Sequence, residues 1–178
     1  MIRKQQHFLI WLVAMALMAA VQVWAQKPEE SKPGMENNPM HQKHMEEMNK
    51  RGNHAMGFDQ TKTTHHFTLL SDGGAIQVEA KDPKDTASRD QVRLHLSQIA
   101  KMFAAGDFSI PLAVHAQAPS GVETMKRLKA EINYKYEEAK NGGRVRISTA
   151  NQEAVAAVHE FLKFQITEHQ TGDSLKVQ

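Results

Sequence analysis

The side chains best suited to chemistry in this chain are soft donors crowded into one short stretch. Met35, Met40, His41, His44, Met45 and Met48 follow one another closely, and His54 and Met56 come soon after. If residues 39–51 are helical, His41, His44, Met45 and Met48 fall on one stripe, because positions three, four and seven apart share a helix face. Thioether sulfur combined with imidazole nitrogen suits Cu(I), and imidazole also suits Cu(II). Thioethers ligate without losing a proton and without forming disulfides, so the set works outside the reducing cytosol. A flexible segment carrying it orders as the ion binds. The same stripe equally describes a packing face, since Met is an adaptable apolar filler.

A second group of imidazoles is spread through the rest of the chain. Thr63-Thr64-His65-His66-Phe67 reads as strand, and on a strand neighbouring side chains point to opposite faces. His65 then shares the core side with Phe67 and Leu69, and His66 faces out with Thr68. His95 is in helical phase with Ile99 and Met102, and His115 ends the apolar run 112–114. His159 sits close to the stripe of Val155, Leu162 and Ile166, which His169 extends. His65, His95, His115 and His159 are therefore expected around one buried pocket, with Met102 beside them. Buried imidazoles need a metal, a carboxylate or a carbonyl as partner. The competing arrangement is four separate core histidines, each satisfied locally, and no pairwise spacing matches a known ligand motif. The candidate metal ligands are thus Met40, His41, His44, Met45, Met48, His65, His95, His115 and His159.

Catalytic signatures are missing. His159-Glu160 is followed by Phe161-Leu162-Lys163, so the zincin pattern lacks its second His. There is no nucleophile elbow, P-loop or dinucleotide fingerprint. No catalytic residue is assigned. Asp59, Asp85, Asp90, Asp107 and Glu160 have no spacing that pairs them for acid–base work. Asp85 to Asp90 with Ser88 reads as a negatively charged helix start. Arg144 and Arg146 with Lys135 read as a solubilising outer face. Lys and Arg total 22 against 20 Asp and Glu, a formal charge of +2 that argues against a nucleic-acid binder. The absence of Cys excludes disulfides, thiolate zinc sites, iron–sulfur clusters and c-type haem attachment.

The elements that must position these side chains are legible in outline. Residues 1–25 read as a secretory signal peptide: Arg3 and Lys4, then an uncharged apolar run, then Val23-Trp24-Ala25 as cleavage site. Its removal leaves a formal charge of zero and no integral membrane segment. Residues 26–57 read as a Met/His-rich flexible linker with a short helix, capped by Asn38, started by Pro39 and stopped at Gly52. Residues 58–173 read as one domain and 174–178 as a tail. Strands are expected over 64–70 and 75–80 about an Asp72-Gly73-Gly74 turn, then a helix from Ser88 to about 105. Residues 110–115 read as an edge strand because of Pro111, and 122–128 as a short helix. Strands over 131–138 and 144–149 about Asn141-Gly142-Gly143 and a helix from Asn151 to about 170 repeat the earlier plan. The chain is expected to be α+β: an antiparallel sheet of four or five strands, two main helices on one face, and a degenerate ββα duplication.

Met56-Gly57-Phe58-Asp59-Gln60, Thr63-Thr64-His65-His66-Phe67, Asp72-Gly73-Gly74, Ser88-Arg89-Asp90 and Gly142-Gly143-Arg144-Val145 together resemble a group of small exported bacterial proteins without an established activity. The resemblance spans residues 56–173. It implies a bacterial, exported, single-domain protein and assigns no site residue. The functional expectation is a small periplasmic or secreted protein that binds metal, copper first, in capture or homeostasis. Haem b held by His and Met is a weaker variant. The alternative is a non-catalytic interaction module of the cell envelope that binds a partner protein and no metal.

Overall fold

In the computed structural model, residues 38–178 are described; the expected signal peptide and residues 26–37 of the expected linker, Met35 among them, lie outside them. Among the described residues, five α-helices and four strands follow one another in the order α1 (Pro39–Met56), β1 (Thr63–Leu70), β2 (Gly73–Ala80), α2 (Thr86–Ala105), α3 (Ser109–His115), α4 (Val122–Arg127), β3 (Asn133–Ala139), β4 (Gly142–Ser148) and α5 (Gln152–His169), with short 3-10 turns at Gln60–Lys62 and Lys129–Glu131. The fold is α+β, with one antiparallel sheet of order β1-β2-β4-β3.

Each half is a hairpin followed by a long helix, and the second strands of the two hairpins pair at the centre of the sheet. The helices cross over: α2 lies mainly on β3 and β4, and α5 on β1 and β2. Neither ββα half therefore closes a core by itself. Alternation along the strands explains the single covered face. Phe67, Leu69, Ile76, Val78, Tyr134, Val145 and Ile147 point to the helices, where Val92, Leu96, Phe103, Val158, Phe161 and Leu162 meet them. The other face carries Thr64, His66, Thr68, Gln77, Lys135, Arg144 and Arg146, none of them buried.

Local chemistry sets the ends. Asn151 accepts from the backbone N–H groups of Glu153 and Ala154 to start α5, and Asp85 accepts from Ser88 to start α2. The cap of α2 is thus Asp85 rather than Ser88, whose hydroxyl donates back to the same carboxylate. Gly106, at φ 82°, ends α2.

Three expectations are corrected. Residues 110–115 are helix, not edge strand. Pro111 sits in the first turn of α3, where a missing N–H costs no helical bond, and Asp107 accepts from Ser109 N–H just before it. The glycine pairs are not the turns. The loops are Ser71-Asp72 and Lys140-Asn141, and Gly73-Gly74 and Gly142-Gly143 begin β2 and β4. At Gly142 a Cβ would collide with the Val78 carbonyl oxygen, so the close approach of β2 and β4 is what requires glycine there. Finally, α1 runs past Gly52 to Met56 and stops at Gly57, whose φ is 74°. Gly52 is buried within the helix, against Gln60. Among the described residues, no helix is long and apolar enough to cross a membrane.

Candidate functional site

The stripe of α1 faces the domain. Met48 is 1% exposed and Met45 is half-buried, whereas Met40 is 81% exposed. Gln170 Nε2 lies 2.8 Å from His41 Nε2, His44 Nε2 lies 3.4 Å from Glu168 Oε2, and Arg51 Nε donates to the Val114 carbonyl at 2.9 Å. The segment 39–56 is therefore a docked helix and not a loose arm. His41 and His44 are drawn to α5, away from Met40. Only Met45 and Met48 of the five expected donors remain together on one wall.

Three of the four domain histidines do converge. His65 comes from the core side of β1, His95 from α2 and His115 from α3, and all three line a cavity of about 60 Å³. His159 does not join them: its Nε2 lies 2.8 Å from the Leu70 carbonyl oxygen. The fourth imidazole is His169, at the last position of α5. Its ring centroid is 5.4 Å from that of His65 and 5.0 Å from that of His115. Phe58 closes the group from the side, 5.3 Å from His95 and 6.0 Å from His65. Met102 packs against the core instead, while Met56 lines the cavity.

Burial keeps these rings neutral, because a charged imidazole loses its hydration inside an apolar pocket. It pushes His65 down to about 4, with His95 and His66 adding to the shift. Burial lowers His95 to about 4. His169 falls to about 3 through burial, then through His65 and His115. His115 is lowered as well, its burial outweighing the bond to Gln165 and the charge of Glu168. Two ring nitrogens, His65 Nε2 and His115 Nδ1, are buried and find no hydrogen-bond partner among the described residues.

A second, larger space of about 490 Å³ lies under α1. Met45 and Met48 line it from the helix, Thr63, Thr64 and His66 from β1, and His65 and His169 form the wall it shares with the inner cavity. Two thioethers and the two neutral imidazoles of His65 and His169 thus border one groove, with His66 as a third imidazole on its rim. Among the described residues, no group of three or more His, Asp or Glu side chains is placed to hold an ion. An ion at this place would take a mixed sulfur and nitrogen set, with no proton to displace from either ring.

Comparison with protein families, characterised proteins and solved structures finds no match to this chain.

The sequence placed His169 on the α5 stripe and Met56 in the Met/His stretch but assigned neither to the pocket, and Gln165 was missed. Gln165 carried a usable signal: a long polar side chain one position before Ile166 and three after Leu162, inside the apolar stripe of α5. A polar group in a core phase asks what it is bonded to, and here the answer is His115 Nε2, 3.0 Å from Gln165 Oε1.

Proposed function

We propose that this is an exported copper-binding protein that holds Cu(I) in the groove beneath α1, between the thioethers of Met45 and Met48 and the imidazoles of His65 and His169. The observation that carries the reading is that these four side chains border one space while His65 Nε2 lies buried without a partner among the described residues. Soft thioethers with neutral imidazoles favour Cu(I) over harder ions. The unbranched Met side chains turn readily toward an incoming ion. The signal-like pattern of residues 1–25 supports export, and outside the cytosol a cysteine-free donor set resists oxidation to disulfide. The role is capture or buffering, not catalysis.

One observation favours the other reading, a metal-free interaction module: Met48 is already packed as filler at 1% exposure. A Cu(I) titration of the chain from residue 26, against a chromogenic chelator under reducing conditions, separates the two. The Met45→Leu/Met48→Leu pair keeps side-chain volume and fold. One equivalent bound, weakened at least tenfold in that pair and in His169→Phe, supports the proposal. Binding that is absent, or unchanged in both variants, rejects it.

A further inference from the structure

The two edges of the sheet, β1 and β3, are treated differently by the rest of the chain. Both hairpins turn through two-residue loops, flanked by the paired residues Leu70 with Gly73 and Ala139 with Gly142. Such a loop makes the flanking pair a hydrogen-bonded one, and the pattern alternates from there. The backbone groups of His65, Phe67 and Leu69 therefore point outward from β1, and those of Tyr134, Tyr136 and Glu138 point outward from β3. The end of the chain straps the β1 edge. Phe67 N–H donates to Asp173 Oδ2 at 2.8 Å, and Gln178 N–H donates to the Leu69 carbonyl at 3.0 Å. The β3 edge has no such strap. Among the described residues, β4 is its only strand partner, and no hydrogen bond reaches the outward backbone groups of Tyr134, Tyr136 or Glu138.

We propose that β3 pairs antiparallel with β3 of a second copy of this chain, about a twofold axis at Tyr136, joining the two sheets into one. In that register Tyr136 exchanges backbone bonds with its own copy, and Tyr134 exchanges them with Glu138 of the second copy. Charge selects both the occupant and the register. Lys135 and Glu137 lie on the open face of the sheet, 67% and 38% exposed, with Nζ 3.0 Å from Oε1. An axis at Tyr136 sets Lys135 opposite Glu137 of the second copy, and Glu137 opposite its Lys135, at the closer, non-hydrogen-bonded positions. Within its own sheet Lys135 is paired with Arg146, a like charge, so an acid on its free side is favourable. Charged residues usually keep edge strands apart. Here they do so only in the wrong registers, because an axis at Lys135 or at Glu137 sets that residue against its own copy, like against like. Glu138 meets no like charge opposite Tyr134, and Arg93 Nη1 lies 3.6 Å from its Oε2. The same patch serves both copies, so the contact closes at two, and the strapped β1 edge offers no template for further growth.

None of the described residues lining the groove beneath α1 belongs to β3, so the proposal stands apart from the copper reading and is tested on metal-free protein. The measurement is sedimentation equilibrium of the chain from residue 26, with circular dichroism as the check that each variant is folded. The parent is expected to be a dimer. Lys135→Glu sets acids against acids across the axis, and Glu137→Lys sets bases against bases. Each alone should weaken dimerisation about tenfold or more. An equimolar mixture of the two should restore it, since every pair across the axis is then opposite in sign. Restoration by mixing excludes the lost Lys135–Glu137 pair within one copy as the cause. Glu138→Pro removes an outward N–H and no bond to β4, and it should also weaken the dimer about tenfold. A parent that stays monomeric up to about 1 mM overturns the proposal. So do folded charge variants that dimerise as the parent does, or whose mixture stays monomeric. If the charge variants do not fold, Glu138→Pro decides, and a dimer as tight as the parent's overturns the proposal.

Discussion

Acid should dismantle this domain through its buried imidazoles, in a pH window set by histidine and not by carboxylate. His65 and His95 are held down to about 4 and His169 to about 3 by burial, against an ordinary value of 6.5. A folded-state value below the unfolded one means that the unfolded chain binds protons first as the pH falls. Stability is therefore full above about pH 7 and is lost as the pH drops through 6.5 toward 4. At pH 5 each unfolded imidazole has gained about 2 kcal/mol from protonation that the folded ring has not. Three such rings give a ceiling of about 6 kcal/mol, comparable with the whole stability of a domain this size. The carboxylates held low by hydrogen bonds, Asp59 and Asp85 among them, act with the same sign but at lower pH, below their ordinary 3.8.

The assay is urea unfolding of metal-free protein at pH 8, 6 and 5, followed by circular dichroism. The midpoint should fall steeply between pH 6 and 5, and at a constant slope with urea concentration. His169→Phe keeps an aromatic ring against His65 and Phe67 and should remove about one third of that pH dependence, close to 2 kcal/mol at pH 5. Equal midpoints at pH 8 and 5 would refute the reasoning. So would a His169→Phe profile that overlays the parent, since the ring would then not be a buried neutral base.

Two further substitutions probe the frame around the site. Gly142→Ala drives a Cβ into the Val78 carbonyl and should cost about 2–3 kcal/mol, read as a lower thermal midpoint; an unchanged midpoint would contradict the close approach of β2 and β4. Tyr134→Phe removes a buried hydroxyl that has no partner among the described residues and whose ionisation is disfavoured by burial. The change should be neutral or stabilising by up to about 1 kcal/mol, and a clear loss of stability by urea unfolding would reveal a bond to that hydroxyl.

The strands and long helices were legible because their periods are unambiguous. Ile76 and Val78, or Val145 and Ile147, alternate with polar neighbours, and Asn151 and Gly106 mark helix ends by side-chain and backbone chemistry that is purely local. The short elements were not. Residues 110–114 are apolar without interruption, and periodicity cannot tell a buried strand from a short helix at that length. Pro111 tipped the reading toward an edge strand, yet the same residue is as comfortable in a first turn. The glycine pairs misled in a related way. Glycine marks both tight turns and places where two backbones nearly touch, and the second reason depends on β2 pairing with β4, a contact between residues far apart in sequence.

The histidines divide along the same line. His65 was placed correctly because a strand period of two fixes its face whatever the partner strand is. His159 and His169 could not be ranked that way. They lie ten residues apart on α5, which at about 100° per residue puts them only some 80° apart around the helix. Both border the apolar stripe, and phase alone does not choose between them. The choice is made by position along the axis: His159 is level with the end of β1, where the Leu70 carbonyl takes it, and His169 reaches the other end of that strand, beside His65. That level is set by how α5 crosses onto the hairpin of the opposite half. The chemistry of the cavity is thus decided by the helix exchange between the two ββα halves, and a shift of α5 by one turn along β1 would take His169 away from His65 while leaving every local sequence signal intact.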